Sequence, residues 1–184
     1  FHYEHKGLLM AYKHEKVGEQ EWEVGKKAIK LGLKVENLSA KEVEAIEPKA
    51  NLNIKGAVYY HSDAHMTPGI FMKNMLIYLK NNGVEILSEE EVKDIVISDK
   101  KITKLITDKR QIKADEFVMA AGSWSPIISK KLGVKMLLQP GKGYRINVAQ
   151  ETNITIPAVL LEAKVAVTPM DGFTRFSGTM EINK

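Results

Sequence analysis

The 184 residues include no cysteine. That absence excludes disulfide staples, thiolate zinc sites and a cysteine nucleophile. Long apolar runs are also missing. The longest are short, such as Phe117–Ala121, against the roughly 18–20 residues that span a bilayer, and no signal-peptide apolar block follows the first basic residues. Arginine is scarce: Arg110, Arg145 and Arg175 are the only three. The net charge of +4 therefore rests on lysines, which are interleaved with acids, as in Glu15-Lys16 and Asp99-Lys100-Lys101. No aromatic residues alternate with them, so a nucleic-acid partner is not expected and a solvated lysine-rich surface is. The dinucleotide fingerprint G-x-G-x-x-G is absent too. Gly141-Lys142-Gly143 is the only G-x-G, so this chain by itself is not expected to hold a pyrophosphate in the Rossmann manner.

What is present reads as a folded α+β chain: 44% hydrophobic and 27% charged. Gly7–Lys13 reads as a buried strand and Glu21–Leu31 as a surface helix closed by Gly32. Ser39-x-x-Glu42 is a capping box, and Pro48 stops the helix it opens. Gly56–Tyr60 reads as a strand. Thr67-Pro68 opens the clearest helix, with Ile70, Phe71, Met75, Leu76, Tyr78 and Leu79 on one face and Asn82-Gly83 at its end. From Val84 the period drops to two. Strands are expected at 84–86, 92–98, 102–107 and 111–114, with turns at Ser98-Asp99-Lys100 and Asp108-Lys109. Phe117–Ala121 has the look of a strand buried on both faces, and Trp124–Leu132 of a helix capped by Ser123. Further strands are expected at 137–138, 144–148, 159–161, 165–168 and 173–177. The expected architecture is a mostly antiparallel sheet covered by helices.

Three segments carry candidate chemistry. His61-Ser-Asp63-Ala-His65 sets metal-ligand types at i, i+2 and i+4, one face of a strand; the other reading is a polar loop leading into the Thr67 helix. No metal is expected there, because no fourth ligand stands nearby in sequence. Phe117–Trp124 is an apolar run ending in small residues, which let a ligand or another backbone approach closely. Gly141–Arg145 joins a tight backbone to a phenol and a guanidinium. Arg145 suits a carboxylate, and Tyr144 suits donation to a ligand oxygen. The alternative is an ordinary hairpin strand.

Taken in order, the blocks at 63–75 (DAHMTPGIFMKNM), 114–148 (ADEFVMAAGSWSPIISKKLGVKMLLQPGKGYRINV) and 165–182 (VAVTPMDGFTRFSGTMEI) resemble the D-amino-acid oxidase-like superfamily of flavoproteins, especially bacterial D-amino-acid dehydrogenases. GLLMAYK and LSAKEVEAIEP also resemble segments of that subgroup. The resemblance implies an FAD cofactor. It also implies a substrate domain from residues 1–83 and 126–184, with 84–125 as part of an FAD-binding domain. The family's opening glycine fingerprint and its closing glycine-rich segment have no counterpart here. With Phe1 in place of an initiator Met, the expectation is an internal piece of a longer protein, inactive and without FAD when alone.

By the same resemblance Val92 lies at the adenine side of FAD, and Ala120, Ala121, Gly122 and Trp124 run along the cofactor. Gly141, Lys142 and Gly143 line the site near the flavin. Gly178 and Thr179 border flavin and substrate, with Ser177 where the family commonly has a first glycine. Tyr144, Arg145 and Glu181 are the expected substrate-binding residues, and no side chain is assigned as a catalytic acid or base. The implied reaction is hydride transfer from the Cα of a D-amino acid to flavin N5, then hydrolysis of the imino acid to keto acid and ammonia. Two other readings stay open: a non-catalytic subunit or assembly module of a flavoenzyme complex, and a relative oxidising glycine, sarcosine or glycerol 3-phosphate. The implied partners are a small amino-acid or amine substrate and the absent FAD-binding segments, with homo-oligomerisation open. The implied location is cytoplasmic, with attachment at the inner membrane periphery left open.

Overall fold

A computed structural model describes residues 3–182. In chain order the elements begin β1 (Tyr3–Glu4), β2 (Leu8–Tyr12), α1 (Glu15–Lys30), β3 (Val35–Ser39), α2 (Ala40–Ile46), β4 (Gly56–Tyr60), β5 (His65–Met66) and α3 (Pro68–Asn81). Next come β6 (Val92–Ser98), β7 (Lys101–Thr107), β8 (Gln111–Ile112) and α4 (Ser125–Lys131). The last third holds β9 (Lys142–Val148), β10 (Ala158–Leu160), β11 (Val165–Met170) and β12 (Phe173–Glu181). The chain forms two compact units, one from residues 1–78 with 143–181 and the other from 79–142 with 182–184. The family resemblance implies divisions at 83/84 and 125/126. In the structure residues 126–142 cluster with the shorter unit instead.

The larger unit is built on a seven-stranded sheet in the order β3-β4-β2-β10-β11-β12-β9. β2 and β10 pair in parallel, with Ala158 opposite Leu9 and Leu160 opposite Ala11. On either side of that seam β2–β4, β3–β4, β10–β11 and β11–β12 pair antiparallel. The seam joins two stretches of chain nearly 150 residues apart. Alternation along β2 explains its unbroken apolar character. Leu9 and Ala11 face a core made with Val43 of α2, Ala57, Ile156 and Ala158. Tyr12 turns to the opposite face, where the α1 backbone lies against it at Gly18. A strand covered on both sides by helices has no polar face to alternate.

Helix α1 starts at Glu15, six residues before its expected start. Its first turns lack large apolar side chains because Gly18 and Gly25, seven residues apart, are its buried positions. A Cβ at Gly18 would stand 2.5 Å from the Tyr12 ring, so the helix sits closer than any side chain would allow. It ends as expected: Gly32 has φ +87°, and the Leu33 and Gly32 N–H groups donate to the Ala28 and Ile29 carbonyls, a Schellman closure. The capping box at Ser39 and Glu42 also forms.

The smaller unit holds the three-stranded sheet β6-β7-β8. Its first hairpin turns on Asp99 and Lys100, both at positive φ, the primed-turn geometry that matches strand twist. Glu90 locks the second turn. Its carboxylate accepts from Arg110 Nε at 2.9 Å, Arg110 Nη2 at 3.0 Å and Thr107 Oγ1 at 2.8 Å. The Arg110 guanidinium, then the Thr107 hydroxyl, holds the Glu90 carboxyl below the usual carboxylate range. A depressed folded-state pKa contributes stability present above the unfolded value near 4.3 and lost as pH falls through the folded value. The smaller unit is therefore expected to lose stability on acidification below about pH 4.5, and Glu90→Gln to flatten that limb of the pH profile. Fluorescence-monitored urea melts between pH 3 and 7 check it. An unchanged profile in the variant would refute the assignment.

Four expectations fail. Residues 84–86, 117–121 and 137–138 are not strands, and 111–114 shrinks to the two residues of β8. A strand needs a ladder partner, and among the described residues none pairs with the first three runs. Val118 and Leu137 are each 90% exposed, the reverse of the burial their pattern suggests. In addition, α4 begins at Ser125 with Trp124 at its N-cap, after a short 3-10 turn at Gly122–Trp124, so Ser123 does not cap it.

Candidate functional site

The far end of the larger sheet carries the candidate site. β9 contributes Gly143, Tyr144 and Arg145 to a cleft of about 640 Å³, within the range of small-ligand sites. The neighbouring β12 contributes Arg175, Ser177, Gly178, Thr179 and Met180, and the turn before β11 contributes Lys164. Of the sequence-predicted residues, Gly143, Tyr144, Arg145, Gly178 and Thr179 thus share one cleft. Glu181 stands beside it, accepting a hydrogen bond from Tyr144 Oη at 2.5 Å. Gly141 and Lys142 precede or open β9 and do not line it.

The cleft is cationic. Arg145, Arg175 and Lys164 line it, and no acidic side chain does. Arg175 is held in place: its Nε donates to Asn147 Oδ1 at 3.1 Å, and its guanidinium lies 5.5 Å from the centre of the Phe173 ring. Burial, and then the charge of Arg145, pushes the Arg175 guanidinium below its ordinary value. Two of the chain's three arginines meet here with like charges facing one cavity, an arrangement that favours a bound anion. Sequence reasoning missed Arg175, Lys164 and Asn147. The signal for Arg175 was its spacing: residues 175 and 177 share a strand face with an expected site strand.

Two backbone features shape the wall. Thr179 has φ +50° and Lys164 φ +53°, uncommon for non-glycine residues and an outlier for a β-branched one. They interrupt simple alternation along β12 and turn the chain at Lys164. Gly178 makes room for that turn: an added Cβ would meet the Lys164 carbonyl oxygen at 3.0 Å and Val165 Cγ2 at 3.1 Å. Gly178→Ala is expected to push the Lys164 turn outward and to cost about 1–2 kcal/mol. A thermal melt reads the loss; an unchanged midpoint would show the contact to be compliant.

A second cleft, of about 440 Å³, lies in the smaller unit. Val92, Ala120 and Ala121 come together there, with Ile95, Leu105 and Ile128 among its apolar walls. Gly122 follows at φ +53° with open space around its Cα, and Trp124 is 69% exposed. The metal-type triplet does not assemble. His61 pairs with Glu36 at 2.9 Å and His65 with Glu4 at 3.3 Å, because the turn after β4 separates them. Among the described residues no group of three or more His, Cys, Asp or Glu could hold a metal ion. No helix of the described residues is long and apolar enough to cross a membrane.

The fold is shared with solved oxidases and dehydrogenases. Glycine oxidase from Bacillus cereus ATCC 14579 is similar with a TM-score of 0.86 and 26% identity, over 99% of this chain and 50% of that one. L-proline dehydrogenase from P. horikoshii shares the fold, with a TM-score of 0.82 at 18% identity, over 100% of this chain and 50% of that one. The chain belongs to the DAO family of FAD dependent oxidoreductases, whose family model matches residues 1–184. It is similar to D-amino acid dehydrogenase of Helicobacter pylori (strain ATCC 700392 / 26695), 33% identical over 187 residues that cover all of this chain and 44% of that protein. The chain thus spans less than half the length of that relative.

The cofactor of this family is FAD, and the residues present fit part of it. The apolar trough with its small alanines can accept a flat ring, and the open backbone at Gly122 leaves space where a side chain would stand. A glycine fingerprint for the pyrophosphate is not among the 184 residues.

Proposed function

We propose that the chain is the substrate-binding region of an FAD-dependent oxidoreductase that oxidatively deaminates D-amino acids. The reading takes the larger unit as the substrate domain and the smaller as part of the FAD-binding portion. The observation that carries it is the convergence of Tyr144 and Arg145 with Gly178 and Thr179 on one cleft. The whole-chain similarity to D-amino acid dehydrogenases supports the substrate class.

In this reading Arg145 takes the substrate α-carboxylate in a two-pronged hydrogen bond. Glu181 accepts a hydrogen bond from the Tyr144 hydroxyl and so fixes the phenol's direction at the cleft edge. Holding the carboxylate limits the poses open to Cα–H and lowers the entropic part of the barrier. Following the family resemblance, Val92, Ala120, Ala121, Gly122 and Trp124 would hold the adenine side and length of FAD, and Gly141, Lys142, Gly143, Gly178 and Thr179 would serve its flavin end. The chemistry FAD supplies when bound is acceptance of the Cα hydride. Water then hydrolyses the imino acid to keto acid and ammonia. The same reading puts the protein in the cytoplasm, with attachment at the inner membrane periphery left open.

Anaerobic stopped-flow flavin reduction by the full-length protein tests this, using D-amino acids, their L-enantiomers, glycine, sarcosine and glycerol 3-phosphate. Reduction by D-amino acids is expected. Reduction by glycine, sarcosine or glycerol 3-phosphate alone would move the assignment to the second reading, which the likeness to glycine oxidase favours. Reduction by none would leave the assembly-module reading.

A further inference from the structure

A single α-carboxylate needs one guanidinium, yet three cations line the cleft. Arg145 suffices for the carboxylate that the proposed D-amino-acid reaction requires. Arg175 and Lys164 then remain, on β12 and on the turn before β11. No ion pair with a carboxylate of the chain is found for either among the described residues. The Arg175 side chain is already ordered, by Asn147 and by the Phe173 ring, so it presents a fixed fork with little entropy left to lose on binding. Lys164 is carried by a backbone conformation that lysine rarely adopts, and Gly178 keeps the room for it. Keeping like charges around one cavity costs folding free energy unless an anion offsets them.

We propose that the cleft selects D-amino acids with an acidic side chain, with Arg145 on the α-carboxylate and Arg175 with Lys164 on the side-chain carboxylate. The proposal rests on the D-amino-acid reading above and narrows it to dicarboxylic substrates. The shared requirement is two negative charges, which a phosphate monoester also carries. It carries them on one compact group where a dicarboxylate carries two separate ones, so it is expected to bind less well than a dicarboxylate.

The test uses the full-length, FAD-loaded protein. Calorimetric titration with glutarate and with butyrate reads the anion site without turnover. Glutarate is expected to bind at least about tenfold more tightly, because two charge-assisted contacts replace one. That ratio is expected to fall below about threefold in Arg175→Met and in Lys164→Met, and to shrink as salt is raised. Two separate variants guard against one that misfolds, and circular dichroism checks each. In parallel, kcat/KM for D-glutamate is expected to exceed that for D-glutamine by about tenfold, a near-isosteric pair differing in charge. Equal binding of glutarate and butyrate, or a ratio unchanged in both variants, would overturn the proposal. So would turnover of D-glutamine as fast as D-glutamate, or flavin reduction by glycerol 3-phosphate but not by D-glutamate. A strong dicarboxylate preference with no D-amino acid turnover would instead remove the underlying reaction and keep the two-anion site.

Discussion

Glu47→Ala is expected to destabilise the larger unit by about 3 kcal/mol and to lower its thermal midpoint by roughly 6–12 °C. Glu47 is only 2% exposed and has no cation beside it among the described residues. Hydrogen bonds alone accommodate it. Its Oε1 accepts from Thr155 N at 2.9 Å, from Thr155 Oγ1 at 2.9 Å and from Ile156 N. These donors lie 108 residues and more away in sequence, just before β10. Glu47 itself stands at the C-cap of α2, so its carboxylate ties α2 to the strand that forms the parallel seam with β2. Alanine would strand buried N–H donors in place, and an unmet buried donor costs about 1–3 kcal/mol. Glu47→Gln keeps one acceptor oxygen and is expected to lose less. Hydrogen exchange gives the sharper readout, with amides of residues 158–160 losing protection before those of β4. Loss that begins elsewhere, or a melt like that of the native chain, would refute the role.

Arg145→Met in the full-length protein is expected to lower kcat/KM for D-amino acids by about 10- to 100-fold, mostly through KM. A charge-assisted pair contributes about 1.5–3 kcal/mol, and about 1.4 kcal/mol is tenfold. The rise in KM follows because the carboxylate is bound in ground state and transition state alike. Arg145→Lys keeps the charge but loses the planar fork, so partial recovery is expected. Tyr144→Phe leaves the guanidinium in place and is expected to be milder. An unchanged KM in Arg145→Met would assign the carboxylate to another residue and remove Arg145 from the site.

Local signals were legible where a few neighbouring residues decide the outcome. The Ser39–Glu42 box, the Gly32 closure and the Asp99–Lys100 turn depend on hydrogen bonds within one turn of chain, and each forms as read. β4 is also where its pattern puts it. The start of α1 was not legible, because Gly18 is buried by close backbone approach and leaves no hydrophobic mark. The apolar run at 117–121 misled in the opposite sense. Its pattern describes a strand with partners on both sides, and the described residues offer it none.

By itself the sequence determined the α+β character, the absence of thiol chemistry and of a pyrophosphate fingerprint, and the pairing of Tyr144 with Arg145. All of these depend on composition or on adjacent residues. Only the tertiary structure decided that Arg175 and Lys164 join them, because β9, β12 and the turn before β11 meet at one end of the sheet. It likewise decided that Glu47 anchors the β2–β10 seam, and that His61 and His65 part to separate carboxylates. Sequence spacing sets which residues share a face of one element. Strand order sets which elements share a cavity, and strand order follows from burial and pairing across the whole chain.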